Sequence, residues 1–302
     1  MKAVLLHEYG GPDKLKYEDA PDPVAGKGEV LVKVSAVSIN PIDYKMRSGE
    51  AKEHFPVEFP AILGRDVAGV VHAVGDGVSG VAPGDKVFAL ANKTYAQFCV
   101  VKAAELAHIP DGLEMVQAAA LPLVVATGEQ LIRLGTGIQK EQTVLVAGAL
   151  GSVGRVAVWA AKQAGAKVIA GVRKSQFKEA ESLGASSVLA LDDEAATEAL
   201  GLVDAVADTI GGKTAEMLLG KVKQGGTFAS VLGPPANAAT NPTIKVVPVM
   251  AKPDPERLKT IAAAVQQGKL QIPVVETLPL EDAGKGQAAA EKGAGGKVVL
   301  VA

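Results

Sequence analysis

Cysteine and aromatic residues are scarce in this sequence of 302 residues. Only one cysteine is present, Cys99, and Phe, Trp and Tyr together make up 4% of the chain. A single cysteine excludes a disulfide within the chain and a cysteine-rich zinc site. Because unpaired cysteine is typical of reducing compartments, we expect a cytoplasmic protein. With so few aromatic rings, the core has to be built from Val, Ala, Leu and Ile.

A strong net charge and a long apolar run are also missing. Lys and Arg number 31 against 33 Asp and Glu, so the net charge is −2. A nearly neutral chain argues against nucleic-acid binding by phosphate neutralisation. No apolar run reaches about 18 residues without a charge or a proline, and the first residues lack the apolar region of a signal peptide. We therefore expect no nucleic-acid partner and no membrane partner.

Two strand patterns divide the chain near residue 115. The first third holds short β-branched runs between Gly and Pro clusters, at 30–34, 67–71 and 98–101, which is typical of a barrel or sandwich. The segment 117–134 is helical in composition. From residue 143 onward, strands alternate with helices, which indicates a parallel doubly wound sheet. The predicted strands of this part are 143–147, 167–171, 187–191, 203–208, 227–231 and 244–249.

A glycine-rich turn follows the first strand of this alternation. Gly148 permits a tight turn, Gly151 leaves room for a pyrophosphate, and Gly154 lets the next helix pack on the strand. The N–H groups and the positive dipole at the helix start then face the phosphates. The spacing is Gly-x-x-Gly-x-x-Gly, and a plain strand-to-helix turn is the alternative. The predicted dinucleotide contacts are Gly148, Ala149, Leu150, Gly151, Ser152, Val153 and Gly154.

Basic residues follow the second strand, where an NAD site carries an acidic one. Arg173 stands about 20 residues past the turn, at the place where Asp or Glu binds the ribose hydroxyls in NAD sites. A guanidinium cannot accept those hydrogen bonds, but it can pair with a 2′-phosphate. Lys174 and Ser175 add a charge and a hydrogen-bond donor. The sequence therefore predicts NADPH rather than NADH, with a solvated basic loop as the alternative.

Motifs along nearly the whole chain support a family resemblance. They are the segments 38–49, 63–71, 83–87, 118–122, 208–212 and 296–300 together with the glycine turn. In combination they resemble the medium-chain dehydrogenase/reductase superfamily, in its zinc-free quinone oxidoreductase and enone reductase branch. The resemblance implies an α/β protein with a GroES-like β-barrel catalytic domain at 1–115. It also implies a Rossmann NADP-binding domain at 116–250, a segment at 251–302 that returns to the catalytic domain, and a homodimer.

The zinc ligands of related alcohol dehydrogenases are replaced in this chain. Those enzymes carry a Cys in the region of Asn40 and a Gly-His-Glu where this sequence has Gly64-Arg65-Asp66. With one Cys and four scattered His, no tetrahedral zinc site is expected. We therefore predict no metal. The expected reaction is transfer of a hydride from NADPH to a small-molecule quinone or α,β-unsaturated carbonyl, which carries its own electron sink.

One short segment supplies the catalytic candidates. By resemblance it lies near the nicotinamide, and Asn40, Asp43, Tyr44 and Lys45 are candidates for proton donation or oxyanion stabilisation. Several relatives have Tyr where Lys45 stands, so the identity of the proton donor stays open. Asn40 could instead brace a turn, and Asp43 could cap the following helix. Asn40 and Thr127 are also expected beside the nicotinamide, Thr127 because it matches a family threonine.

Other readings of the sequence remain open. A non-catalytic NADPH-binding sensor or crystallin-like protein would keep the glycine turn without turnover, and an enoyl-thioester reductase would share the fold. The segment 207–214 nearly matches the phosphate loop of nucleotide hydrolases, but Ala207 replaces its first glycine. Cys99 lies in an apolar run and is expected to be an inert core residue.

Overall fold

A computed structural model describes residues 1–302 and divides them between two units. One unit holds residues 1–123 and 253–302, and the other holds 124–252. No helix combines the length and the apolar composition needed to cross a membrane. The functional domain limits expected from the sequence stay a prediction.

Strands dominate the first 123 residues. The two α-helices here are α1 (Pro41–Ser48) and α2 (Met115–Ala119). The strands are β1 (Lys2–Leu6), β2 (Leu15–Asp19), β3 (Glu29–Ser38), β4 (Ala61–Ile62), β5 (Asp66–Val74), β6 (Lys86–Leu90), β7 (Phe98–Lys102) and β8 (Leu106–His108).

Strands and helices alternate in the middle of the chain. The helices are α3 (Pro122–Gln130), α4 (Ser152–Gln163), α5 (Phe177–Ala180), α6 (Glu194–Glu198) and α7 (Gly212–Leu219). The strands are β9 (Thr143–Ala147), β10 (Lys167–Val172), β11 (Ser187–Ala190), β12 (Val203–Asp208), β13 (Val222–Ser230) and β14 (Lys245–Pro248).

The last 50 residues return to the first unit. They contain α8 (Pro255–Gln266), β15 (Val274–Pro279), α9 (Ala283–Glu291) and β16 (Lys297–Val301). Strand β16 pairs antiparallel with β3, so residues from both ends of the sequence share one sheet. That sheet has the order β15-β16-β3-β5-β6-β8, with β7 also on β3, and a separate sheet has the order β2-β1-β4.

The other unit is built on a six-stranded parallel sheet. Its order is β11-β10-β9-β12-β13-β14, so the strand order reverses beside β9. Successive residues of β9 pack on opposite faces, with Val144 and Val146 in one apolar cluster and Leu145 and Ala147 in another. Helices cover both faces, which explains the nearly continuous apolar strands. The predicted doubly wound fold is confirmed.

The segment 117–134 is mostly helical, as its composition indicates, but it does not form one continuous helix. The chain forms α2, breaks, restarts as α3 and continues as a π-helix over Leu131–Thr136. Pro122 is the physical reason, because a proline has no N–H to donate and disfavours helical backbone at the residue before it. As the first residue of α3, it starts a helix instead of continuing one.

Candidate functional site

The glycine turn joins β9 to α4 by a tight backbone path. Gly148 has a φ of +78°, and a Cβ placed there would lie 2.4 Å from Thr209 Oγ1. A Cβ at Gly154 would lie 2.0 Å from the carbonyl oxygen of Gly148. At Gly151 the nearest atom is that same oxygen, at 3.3 Å, a slightly tight distance that a small shift would relieve, and the residue is exposed. The fold therefore requires glycine at positions 148 and 154. At Gly151 the missing side chain leaves space on the solvent-exposed side of the turn.

The first N–H groups of α4 have no helical acceptor. The first intrahelical hydrogen bond runs from the Arg155 N–H to the Gly151 carbonyl, at 2.8 Å. The N–H groups of Ser152, Val153 and Gly154 precede it at the positive end of the helix dipole. This arrangement fits a pyrophosphate, and the space beside Gly151 would admit it.

The rest of the turn is fixed by bonds within the chain. The N–H groups of Gly148 and Ala149 both donate to the Gly171 carbonyl, at 3.0 and 3.1 Å. The buried Arg155 guanidinium donates from Nε to the Leu150 carbonyl at 3.0 Å and also pairs with Glu179. Arg155 was not among the residues predicted from the sequence, and its contacts hold the shape of the turn.

The turn lies where the order of the parallel sheet reverses. Strand β9 pairs with β10 on one side and with β12 on the other, and the turn follows its carboxyl end. In open α/β sheets this is where ligands bind. Thr127 is half-buried in α3 of the same unit, and a Cβ on its neighbour Gly128 would come within 2.6 Å of the Val153 carbonyl. The residue that follows Thr127 thus packs against the first turn of α4.

The predicted phosphate-binding residues lie just after β10. Arg173, Lys174 and Ser175 are all exposed. The Arg173 guanidinium has no hydrogen bond or ion pair within the chain. Only the backbone of Arg173 is used: its N–H donates to Gln176 Oε1, and its carbonyl accepts the Gln176 N–H. Lys174 is less free, because its Nζ lies 3.3 Å from the Asp193 carboxylate. Arg173 is therefore the more available cation for a 2′-phosphate.

The catalytic candidates lie in the other unit, at the start of α1. Asp43 is fully buried, and its Oδ2 accepts hydrogen bonds from the Asn40 N–H at 2.8 Å and from the Tyr95 hydroxyl at 3.0 Å. Its Oδ1 is buried without a partner. Burial, which disfavours the charged form, raises the pKa of Asp43 to about 7. Asp43 and Asn40 form a capping box at the start of α1. Capping is the structural role that the sequence offered for Asp43 as the alternative to catalysis.

A second buried carboxylate, Asp66, organises the same region. Its Oδ2 accepts from Ser38 Oγ at 2.5 Å and from Asn40 Nδ2 at 2.7 Å, and its Oδ1 accepts from the Leu123 N–H at 2.7 Å. Lys297 Nζ lies 3.6 Å from Oδ2. The Asn40 side chain is therefore held in one orientation by Asp66.

Lys297 completes this network from the last strand. Its Nζ donates to Asn40 Oδ1 at 2.6 Å and to the Ile39 carbonyl at 3.0 Å. Burial lowers the pKa of Lys297, while the neighbouring carboxylates Asp66 and Asp43 act in the opposite direction. Lys297 and Asp66 were not among the site residues predicted from the sequence, although a charge inside or bordering an apolar strand was a signal that could have found them.

Tyr44 and Lys45 are both only partly buried. Lys45 Nζ forms an ion pair with Glu50 at 2.8 Å. Burial raises the pKa of the Tyr44 phenol, so the phenol keeps its proton at neutral pH. Asn40, Asp43, Tyr44 and Lys45 therefore share one short segment, whereas the other predicted cofactor contacts belong to the second unit.

The two remaining sequence signals have structural explanations. The Asp208 carboxylate accepts the N–H groups of Ile210 and Gly211, both at 3.0 Å, so these amides are already bound within the segment that resembles a phosphate loop. Cys99 is buried in the core of its unit, and burial raises the pKa of its thiol to about 12. No group of three or more His, Cys, Asp and Glu side chains is arranged to hold a metal ion.

Comparison with known families gives two matches. Residues 26–111 match the alcohol dehydrogenase GroES-like domain, and residues 183–300 match a family described as zinc-binding dehydrogenase. The residues of this chain do not fit the zinc of that description, since they form no ligand cluster.

Curated relatives cover the chain to different extents. The chloroplast envelope quinone oxidoreductase homolog of Arabidopsis thaliana is 31% identical, over 99% of this chain and 98% of its own length. The NADPH-dependent alkenal/one oxidoreductase of the same plant is 30% identical, over 91% and 72%. The mouse NAD(P)H oxidoreductase RTN4IP1 is 33% identical over 78% of this chain, which spans 66% of that protein.

A solved structure agrees with these matches. The Escherichia coli quinone oxidoreductase complexed with NADPH superposes with a TM-score of 0.88 and 26% identity, over 100% of each chain. The GroES-like match, the parallel sheet with its glycine turn and the full-length Arabidopsis relative all agree. This chain belongs to the medium-chain dehydrogenase/reductase superfamily, in its quinone oxidoreductase branch.

Proposed function

We propose that this protein transfers a hydride from NADPH to a quinone or an α,β-unsaturated carbonyl without a metal ion. The observation that carries the cofactor choice is Arg173, an exposed guanidinium with no partner in the chain, at the end of the second parallel strand. It would hold the 2′-phosphate, while the N–H groups that begin α4 hold the pyrophosphate. NADPH supplies the hydride when bound. The relatives named for quinone and alkenal/one reduction support both acceptor classes.

The first unit would serve the acceptor. We propose that Asn40, fixed by Asp66 and Lys297, presents a polar side chain to the reacting groups. Tyr44 is the proposed proton donor, because its phenol carries its proton at neutral pH and the Lys45 ammonium is engaged by Glu50. Asp43 would act as the cap that fixes this segment.

An acceptor panel tests the function. Purified protein is mixed with NADPH or NADH and with a quinone, an enone, an alkenal or a crotonyl thioester, and cofactor oxidation is followed by absorbance, with and without a chelator. We expect NADPH oxidation with the quinone or the enone, unchanged by the chelator. Preference for the thioester would identify an enoyl reductase, and NADPH binding without turnover would favour a sensor. Loss of activity on chelation would refute the metal-free mechanism.

The assembly and location are also proposals. We propose a cytoplasmic homodimer that acts on a small molecule, with functional domains at 1–115, 116–250 and 251–302. Light scattering on the purified protein measures the mass in solution, and fractionation of the source cells locates it. A monomeric mass or a membrane-bound fraction would contradict this part.

A further inference from the structure

Of the six arginines, two have side chains that form no hydrogen bond or ion pair within the chain. Arg47, Arg133 and Arg155 are held by hydrogen bonds or ion pairs with other side chains, and Arg257 also has a partner. The exceptions are Arg173, discussed above, and Arg65. They occupy different units, so the 2′-phosphate role proposed for Arg173 leaves Arg65 unexplained.

Arg65 is a partly buried cation without a counter-charge. Its Nε is buried and has no hydrogen-bond acceptor in the chain, and its guanidinium forms no ion pair. The neighbouring Asp66 does not compensate it, because that carboxylate is already bound by Ser38, Asn40, Leu123 and Lys297. A buried N–H without an acceptor is costly, and folding alone would select against it.

The backbone around Arg65 is rigid. The Arg65 carbonyl accepts the Ala91 N–H at 2.7 Å, and the Leu63 carbonyl accepts the Tyr95 N–H at 3.0 Å. Arg65 directly precedes β5. The side chain thus projects from a fixed point, which suits a group that has to meet a reacting atom in a defined geometry.

A second unpartnered polar group lies beside this point. Thr94 is fully buried, and its Oγ1 has no hydrogen-bond partner. A Cβ on Gly64, the residue before Arg65, would lie 2.3 Å from that oxygen. The Asn40 side chain donates a hydrogen bond to Asp66, the residue that follows Arg65. Arg65 therefore lies next to the segment that carries the catalytic candidates.

Other cations of this segment are neutralised. Lys45 is paired with Glu50, and Lys297 is buried against Asp66. Of the cations Lys45, Lys297 and Arg65, only Arg65 has no carboxylate partner. A guanidinium presents a planar set of N–H donors that fits an oxygen carrying negative charge.

We propose that Arg65 is a catalytic residue whose guanidinium donates hydrogen bonds to the acceptor's carbonyl oxygen and stabilises the negative charge that develops there. This role rests on the proposed reductase function. With an enone, the hydride forms a new C–H bond at the β-carbon, and NADPH is oxidised to NADP⁺. The C=C electrons shift so that the carbonyl oxygen becomes an enolate oxygen. Tyr44, the proposed donor, then gives its proton to the α-carbon and is reprotonated from solvent. Arg65 acts on the oxygen while it is charged.

Kinetics of variants test the role. With but-3-en-2-one as acceptor, Arg65→Met should lower kcat about 100-fold, as loss of one oxyanion donor does elsewhere. Arg65→Lys, which keeps the charge, should recover part of this loss. Lys16→Met removes an exposed positive charge from the same unit and should leave kcat unchanged. A kcat of Arg65→Met within threefold of the wild type would overturn the proposal.

Stability separates this role from a structural one. Because Arg65 has no partner to lose, Arg65→Met should unfold at the same temperature as the wild type or higher. A lower midpoint combined with reduced activity would mean that Arg65 supports the fold, which would also overturn the proposal.

A binding assay separates this proposal from the reductase function. 4-Nitrophenol is the probe, because its phenolate oxygen resembles an enolate oxygen and absorbs visible light. At about pH 6, with NADP⁺ present, the wild type should raise the phenolate absorbance, and Arg65→Met should not. If no acceptor is reduced but this difference persists, the reductase proposal fails and the oxyanion site stands. If acceptors are reduced and the two proteins bind the probe equally, the role of Arg65 is wrong.

Discussion

Replacing the last glycine of the turn with alanine tests how tightly the helix packs on the strand. In Gly154→Ala, the new Cβ would lie 2.0 Å from the Gly148 carbonyl oxygen and 2.8 Å from Ala149 Cα. Both are backbone atoms, so neither can move aside as a side chain would. Overpacking of a core costs about 1–3 kcal/mol, and we expect the upper end here. A loss of about 3 kcal/mol corresponds to a drop of about 6–12 °C in the unfolding midpoint.

Gly151→Ala is the matched control, because it adds the same methyl group three residues earlier. The new Cβ meets only the Gly148 oxygen, at 3.3 Å, and the φ of −65° suits alanine. The loss of a glycine N-cap costs about 1 kcal/mol or less. The methyl group would, however, fill the space expected for the pyrophosphate. NADPH affinity should fall at least tenfold, which is about 1.4 kcal/mol.

Differential scanning fluorimetry and NADPH titration by fluorescence measure the two effects separately. Gly154→Ala should lose stability, and Gly151→Ala should lose mainly affinity. Equal midpoints for the two variants would refute the close approach at Gly154. Unchanged NADPH affinity in Gly151→Ala would show that the turn does not contact the pyrophosphate.

Three further predictions follow from charged side chains. Arg173→Ala should weaken NADPH at least tenfold and NADH little in titrations, whereas Lys178→Ala, which removes an exposed cation nearby, should change neither. Lys297→Met leaves Asp66 buried without its cation, so urea denaturation should show a loss of about 3–5 kcal/mol. Because the pKa of Asp43 rises from 3.8 to about 7 on folding, its contribution to stability is present at low pH and disappears as the pH rises through 7. Asp43→Asn should therefore show a smaller decrease in the free energy of unfolding than the wild type between pH 4 and 7, and equal decreases would contradict this assignment.

The parallel unit was largely predictable because its signals are local. The predicted strands at 143–147 and 203–208 coincide with β9 and β12, since apolar runs buried on both faces are easily recognised. Strand β13 extends over Val222–Ser230, beyond the predicted 227–231, because Gly225 and Gly226 inside it read as a turn. The helical composition of 117–134 was recognised, but it did not show the break before Pro122 that divides the segment.

The polar network of the first unit was not predictable in the same way. Asn40 and Asp43 were found because they lie in one recognisable segment. Lys297 is 257 residues away from Asn40 in sequence, and only the pairing of β16 with β3 brings the two together. Arg65 was noted as a replacement for a zinc ligand, but its lack of a partner depends on where all neighbouring carboxylates point. A charge next to an apolar strand can be recognised in the sequence, but which groups it meets in the fold cannot.

The contribution of β16 to the first sheet bears on the order of events during synthesis. Residues 124–252 are contiguous, so their unit can form as soon as that stretch has left the ribosome. The unit containing Asp66 cannot, because the ammonium that balances this carboxylate belongs to Lys297. Until residue 297 emerges, the nascent chain carries an acidic group that favours hydration over burial. The part of the protein made first is thus expected to reach its native packing last.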